Sequence, residues 1–571
     1  MLFGIDKNKS LSMLQAIVAL FIVFAPSFLG MFGIKAAVYI GFFIFWCLTA
    51  IRLKTTGKIY YSAYSILLLL TQAYAVISSI WASNKEGQLI FIFAIGCMLG
   101  IYAVLTDYFT ENTVESVRRR IMYMLTVSGL ACAVLNIIYW LVKIVPFASK
   151  EKLSFGLGTN NYLALFMLFC IISSFYLMKG NSKAKIKLLA AMSLPMIAVF
   201  VMANSRIAYI FALFILVTFL FTTKFKKAFS SAGIFGVAVF AGILLLMVIN
   251  GERGQLLNDI LRASSQNLFG MGGGFQTGEA TYATQTYKEN ISIGLLPFLF
   301  ASSGVFGVIV MLSVIARNVM LFFKLKTWES LIALYVTVII AFLPFDMSFT
   351  VLLLWSGLAI YNECAAGLAI KFELKKEQIQ HYVFLISVLV VISALLLVQV
   401  CIRKNAETKF ENKDYYNAAQ LYKTASFINI ADSESCYMYA KALRMEKKGL
   451  FDSTSALHSI EKAIKRDSRN IENVVEKAEI YYAAGNYAAA AQQYRIVCGY
   501  ALVKDKYSLA LSKVLREIAK DNPVGSSETK RAYEELLELA ALTDNLDVRK
   551  EINDIADEVQ MFTKGELVSE R

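Results

Sequence analysis

From about residue 12 to about residue 401 the chain alternates between apolar blocks of about 17 to 25 residues and short polar connections that carry most of the charge. As a helix, a block of that length crosses the ~30 Å hydrocarbon core of a bilayer. The pattern predicts spans near 12–31, 36–51, 60–79, 88–106, 121–142, 160–178, 188–203, 207–222, 229–249, 290–316, 328–343, 347–361 and 380–401, a set of 12–13 helices. Beyond Arg403 the pattern changes: Lys, Glu, Asp, Asn and Gln become common and no spanning block recurs. The expected organisation is therefore all-α. A polytopic transmembrane helix bundle occupies 1–402, and a soluble α-helical domain of 403–571 is long enough to bury its own core. The first span is long and followed by many others, so it reads as an anchor and not as a cleaved signal.

The charges set the expected topology. With Lys7 and Lys9 in the cytoplasm, alternate connections carry Arg52, Lys54 and Lys58; Arg118, Arg119 and Arg120; Lys179, Lys183, Lys185 and Lys187; Lys224, Lys226 and Lys227; Arg317, Lys324 and Lys326; and Lys371, Lys375 and Lys376. The segments on that side hold about 21 Lys and Arg and those opposite about 9, over similar lengths, as the positive-inside rule requires. The longest connection, about 250–289, then lies outside the cytoplasm, as do Arg206 and, after an odd number of spans, the C-terminal domain.

That domain repeats itself at about 36 residues. Lys413-Asp-Tyr-Tyr-Asn-Ala-Ala, Gly449-Leu-Phe-Asp-Ser-Thr-Ser-Ala and Gly485-Asn-Tyr-Ala-Ala-Ala-Ala mark equivalent points, each followed by Ala and large residues at helical spacing. The run from Ala478 to Tyr494 resembles a tetratricopeptide repeat, in which small residues let paired helices pack closely and aromatics fill the seam. An unrelated helical bundle is the alternative. Arrays of this kind dock partners, so the domain is expected to recruit a protein partner or an acceptor.

Composition narrows the classes further. The chain is 57% apolar and 17% charged, and its net charge of +14 sits in the connections between spans and not in a stripe with exposed aromatics, so nucleic acid is excluded as a partner. Eight cysteines form no CxxC pair, and with only His381 and His458 no metal site is expected. Cys47, Cys97, Cys132 and Cys170 fall inside spans and read as packing residues. Cys436 and Cys498 share the C-terminal domain, where a disulfide between them is an open alternative.

Chemistry-bearing residues gather on the predicted outer face. Asn161 stands in Gly158-Thr-Asn-Asn-Tyr-Leu-Ala at the start of one span, and Asn204-Ser205-Arg206 opens another. Arg253 begins the long connection, and Asn267-Leu-Phe-Gly-Met-Gly-Gly-Gly-Phe, with Gly272 and Gly274, runs on to Glu289-Asn290. The next span carries Gly304-Val-Phe-Gly307. An arginine at a membrane edge is costly unless it is paired or lines a polar cavity, and its planar fork suits a diphosphate. Glycines let backbone amides approach an anion closely. The alternatives are an interfacial anchor for Arg206, an exposed loop charge for Arg253 and a plain flexible loop for the glycines.

In this order the motifs resemble the O-antigen ligase/polymerase family of bacterial envelope enzymes, over about residues 60–360. The resemblance implies a GT-C-like, metal-independent glycosyltransferase with no cofactor. It would take a glycan from a polyprenyl-diphosphate carrier at the outer face of the bacterial plasma membrane and pass it to an acceptor, among membrane lipids. It would place Arg206 and Arg253 on the diphosphate, with Asn161, Ser205, Gly272, Gly274 and Asn290 shaping the substrate cavity. The family often has a His-Asn pair near the end of the long connection, where this chain has Glu289-Asn290. It often has an acidic residue shortly before Gly-x-x-Gly, where this chain has Ser302-Ser303. Glu289 is accordingly the expected catalytic carboxylate, ahead of Glu279 and Asp346; a helix-start carboxylate for Glu289 and a turn residue for Asp346 are the alternatives. The rival functions are a lipid-linked glycan transporter and a non-catalytic scaffold acting through its repeats.

Overall fold

In a computed structural model of the 571-residue chain, the residues described are 36, 38–82, 84–111, 114–144, 160–178, 181–224, 229–249, 268–270, 272, 295–342, 349–446, 452–468, 470–499, 504–543 and 545–564. They are almost entirely helical. Their contacts divide the chain into two compact units. The first takes in Met1–Ile80, Ile90–Gly273 and Ser292–Leu397; the described residues of the second lie in Trp81–Leu89 and Val398–Arg571.

The apolar blocks become α1 (Val38–Thr56), α2 (Ala63–Ser78), α3 (Lys85–Glu111), α4 (Val114–Tyr139), α5 (Asn160–Met178), α6 (Lys183–Met202), α7 (Arg206–Lys224), α8 (Phe229–Ile249), α9 (Leu295–Leu325), α10 (Trp328–Phe342), α11 (Phe349–Ala365) and α12 (Lys376–Glu411). Among the described residues seven helices are long and apolar enough to cross a membrane: α1, α3, α4, α5, α6, the Ser302–Leu325 part of α9, and α12. Four shorter apolar stretches lie in α2, α7, α8 and α10. The expected span 12–31 lies outside the described residues. These helices are compatible with a multi-pass membrane protein.

Packing in the first unit follows side-chain size. Gly129 of α4 has no β-carbon to hold off the buried Cys170 of α5 and Met196 of α6, so the three helices meet closely, as small residues permit where no hydrophobic drive acts between helices. Phe211 of α7, Phe240 of α8 and Tyr335 of α10 form a buried triad with ring centroids 5.5–5.8 Å apart.

Several of the lysine- and arginine-bearing segments meet one another or an acidic partner within this unit. Arg52 of α1 pairs with Asp107 of α3, both buried. Arg118 of α4 meets Glu329 of α10 at 3.0 Å, and Arg317 of α9 meets Glu363 of α11 at 2.9 Å. A ribbon also forms there, from connections and the first residues of the expected span 60–79: β1 (Lys58–Tyr61) pairs antiparallel with β2 (Ile370–Glu373), Lys58 opposite Glu373 and Tyr61 opposite Ile370. Each of these contacts joins two segments that the charge count assigns to one side.

The second unit is built from the last turns of α12 and α13 (Tyr415–Ile428), α14 (Ser433–Met445), α15 (Ser453–Arg466), α16 (Ile471–Ala483), α17 (Tyr487–Cys498), α18 (Lys504–Asp521), α19 (Ser527–Leu542) and α20 (Leu546–Lys564). The equivalent sequence points 413, 449 and 485 precede α13, α15 and α17. Lys413 and Gly485 both adopt left-handed backbone there, with φ of 63° and 75°, a conformation glycine takes without strain. Small residues with a few large ones among them fill the seams: Ala406 and Ala418 with Tyr422 in one cluster, and Cys436, Ala440, Ala456 and Ala463 with Ile460 in the next.

A buried ion pair bridges successive helix pairs. Arg444 of α14 donates to both carboxylate oxygens of Glu476 on α16, at 2.7 and 3.0 Å. Burial pushes the Glu476 carboxyl up, against the opposing pull of Arg444. None of the eight cysteines is disulfide-bonded, which corrects the alternative of a Cys436–Cys498 disulfide. Cys436 lies in one hydrophobic cluster and Cys498 packs against a different one, so the two belong to separate layers of the array.

Candidate functional site

Two constellations of the first unit contain the sequence-predicted residues that the structure describes. The first is the tight connection from α6 to α7. Ala203 caps the end of α6, Asn204 turns the chain with φ of 46°, and Ser205 caps α7. Asn tolerates the left-handed region better than most residues because its short amide bonds locally. The Ser205 Oγ accepts the N–H of Ala208 at 3.2 Å, satisfying one of the orphan donors of the helix start. The same hydroxyl donates to Asn161 Oδ1 at 2.8 Å, and the neighbouring Asn160 Nδ2 donates to the Ala203 carbonyl at 2.9 Å. The Asn160-Asn161 pair at the start of α5 thus pins the turn, one amide to its backbone and one to its cap.

Arg206 is the first helical residue beyond this cap, and its side chain is exposed. A cation at a helix N-terminus is disfavoured by the helix dipole, since the free N–H groups there already present positive charge. Among the described residues the Arg206 guanidinium has no ion-pair partner. Guanidinium and first-turn N–H groups at one helix start are suited to an anion with several oxygens, such as a phosphate.

The second constellation joins the glycine-rich segment to α9. That helix breaks at Gly304, where φ is 59° and ψ is −143°. A β-carbon at Gly304 would collide with the Leu268 carbonyl, and one at Gly270 would lie 2.5 Å from the Gly304 nitrogen and the Ser302 oxygen. The two backbones lie against each other and exchange hydrogen bonds: Val305 N–H to Leu268 O at 3.1 Å, and Gly272 N–H to Ser302 O at 2.9 Å. Polar groups released by the break are thereby satisfied. Leu299 also comes against Gly307, eight positions on, whereas a straight helix would separate them by about 12 Å. From α2, the Tyr74 hydroxyl donates to the Phe269 carbonyl, and its ring stacks on Phe306 with centroids 4.5 Å apart.

Asn161 and Ser205 are therefore bonded to each other with Arg206 adjacent, and Gly272 is held on the interrupted helix. Arg253, Gly274, Glu289 and Asn290, with the secondary candidates Glu279 and Asp346, lie outside the described residues. Ser302 and Ser303, at the position where an acidic residue was looked for, are both buried at the break. Tyr74, Phe306 and Asn160 carry the geometry although none of them is a sequence-predicted site residue. Asn160 and Phe306 have a sequence signal, their places within Gly158-Thr-Asn-Asn and Gly304-Val-Phe-Gly307; Tyr74 has none. Among the described residues no group of three or more His, Cys, Asp or Glu side chains is arranged to hold a metal.

The fold and these constellations define an all-α protein with long apolar helices compatible with several membrane crossings. No protein-family model matches the chain, and no curated protein matches it.

Proposed function

We propose that the chain is a membrane glycosyltransferase of the O-antigen ligase/polymerase type, with a GT-C-like helix bundle, acting on a polyprenyl-diphosphate-linked glycan at the outer face of a bacterial plasma membrane. The observation that carries this reading is the exposed Arg206 at the start of α7, seated on a turn fixed by the Asn161–Ser205 hydrogen bond. A fixed cation at a helix start holds a diphosphate in place and stabilises it as it departs, which favours the transition state over the bound substrate. Arg253 is the proposed second half of the clamp and Glu289 the proposed carboxylate that orients or deprotonates the acceptor hydroxyl. Tetratricopeptide-like packing of the second unit, supported by its paired helices and alanine-filled seams, makes it the module that recruits an acceptor or partner protein.

The test is glycan transfer in reconstituted membranes, with an extract of lipid-diphosphate-linked oligosaccharides and the host's envelope acceptors. Wild type consumes the donor and Arg206→Ala does not, at equal insertion. Donor moved across the bilayer without being consumed is the result expected of a transporter. A wild-type chain that neither consumes nor moves donor, yet retains a protein partner, is the result expected of a scaffold.

A further inference from the structure

We propose that the turn between α13 and α14 is a membrane-interface anchor, its Phe427 and Ile430 side chains entering the headgroup and upper acyl region of the bilayer that α12 crosses. The argument starts from α12, which has no charged residue between His381 and Arg403, so its apolar stretch ends within the turn that holds Gln399 and Arg403. The helix continues for 13 residues from Gln399 to Glu411, and α13 returns through 14, two legs of about 20 Å at about 1.5 Å per residue. The returning chain is consequently level with the end of the apolar stretch.

Hydrogen bonds and ion pairs fix that level. The Gln399 amide donates to the Asp432 carboxylate, and both side chains are buried. Arg403 reaches Glu434 and lies 3.9 Å from Asp432. The segment Trp81–Leu89 is held there too, with Glu86 3.7 Å from Arg403 and Asn84 donating to Asp467 at 3.3 Å.

At this level Phe427 is 85% exposed, Ile430 78% and Trp81 41%. Single exposed apolar residues are ordinary on a water-facing surface. Three at the depth where a span leaves the hydrocarbon have a ready partner, and Trp is a residue typical of that boundary. Lys423, one helical turn back from Phe427, and Lys465, in the last turn of α15, are both exposed and suit lipid phosphates above the apolar tips.

The full chain, reconstituted in phosphatidylethanolamine/phosphatidylglycerol vesicles, provides the test. Phe427→Trp is compared with Tyr416→Trp at the opposite end of α13, each read as emission above the wild-type chain with its five native tryptophans. Doping the bilayer with phosphatidylcholine brominated near the headgroup is expected to cut the added emission of Phe427→Trp about twofold and to leave that of Tyr416→Trp unchanged, with aqueous iodide doing the reverse. Iodide quenching of the indole introduced by Phe427→Trp, with no effect of bromine, overturns the anchor. So does an added signal in that variant untouched by either quencher, which would mark contact with a protein.

Discussion

The carbonyl oxygen of Leu268 fills the space that a β-carbon on Gly304 would need. One residue choice thus lets α9 break and lets the glycine-rich segment dock in the break. Gly304→Ala must displace Leu268 and place a side chain at a φ of 59°, and it strips the Val305 and Gly272 N–H groups of their acceptors. The expected loss is roughly 1–3 kcal/mol, the usual size for a strained backbone position. It is read as a lower thermal midpoint in detergent together with faster proteolysis around residues 268–272. A variant that keeps both at wild-type values refutes the docking.

The Asn161–Ser205 bond predicts coupling. Ser205→Ala removes both the cap of α7 and the partner of Asn161, costing about 1 kcal/mol as N-cap losses do. Asn161→Ala removes the second of these interactions only. The double variant should be less destabilised than the sum of the singles, by about 0.5–1 kcal/mol. Additive singles would mean that the two side chains act separately. On the proposed reading, both singles also lower glycan transfer with Arg206 in place, because the turn that aims the arginine is loosened.

How far the sequence discloses this structure depends on the range of the interaction concerned. Apolar block length is a property of each segment by itself, so the helices near 88–106, 121–142 and 160–178 emerge close to their expected bounds. The starts of α5 and α7 are legible as motifs, because Asn and Ser are residues favoured at helix starts, and the Ser205 cap on the Ala208 N–H is a local bond. Their bond to each other crosses 44 positions, and only the order of the motifs hints at it. The break at Gly304 is hidden, since a glycine in an apolar helix normally signals close packing. Tyr74 is hidden too: its contacts with Phe269 and Phe306 exist only once three distant segments meet. The ribbon of Lys58–Tyr61 with Ile370–Glu373 is too short for either strand to show a pattern of its own.

The Arg317–Glu363 pair supplies a contrast between removal and replacement. Glu363 is almost fully buried, so Arg317→Ala leaves a carboxylate without its compensating charge and should cost about 3 kcal/mol. Replacing both residues by methionine removes the charge with its partner, and most of that loss should be recovered. Chemical unfolding in detergent measures each variant. A double variant as weak as the single would show that the pair matters through shape and not through charge.

The last prediction concerns acid. Asp452 caps α15, and the hydroxyl and N–H of Ser455 hold its carboxyl below the ordinary value of 3.8; the N–H bond is 3.0 Å long. A carboxyl depressed by folding lends its full stabilisation above its unfolded-state pKa and loses it as pH falls through the folded one. Asp452 should therefore support the second unit fully at neutral pH and progressively less below about pH 4. Asp452→Asn keeps an acceptor for the Ser455 N–H but has no charge to titrate. Urea midpoints of the full chain in detergent at pH 7 and pH 3 should fall less in Asp452→Asn than in wild type. Equal drops in the two proteins would place the acid sensitivity elsewhere.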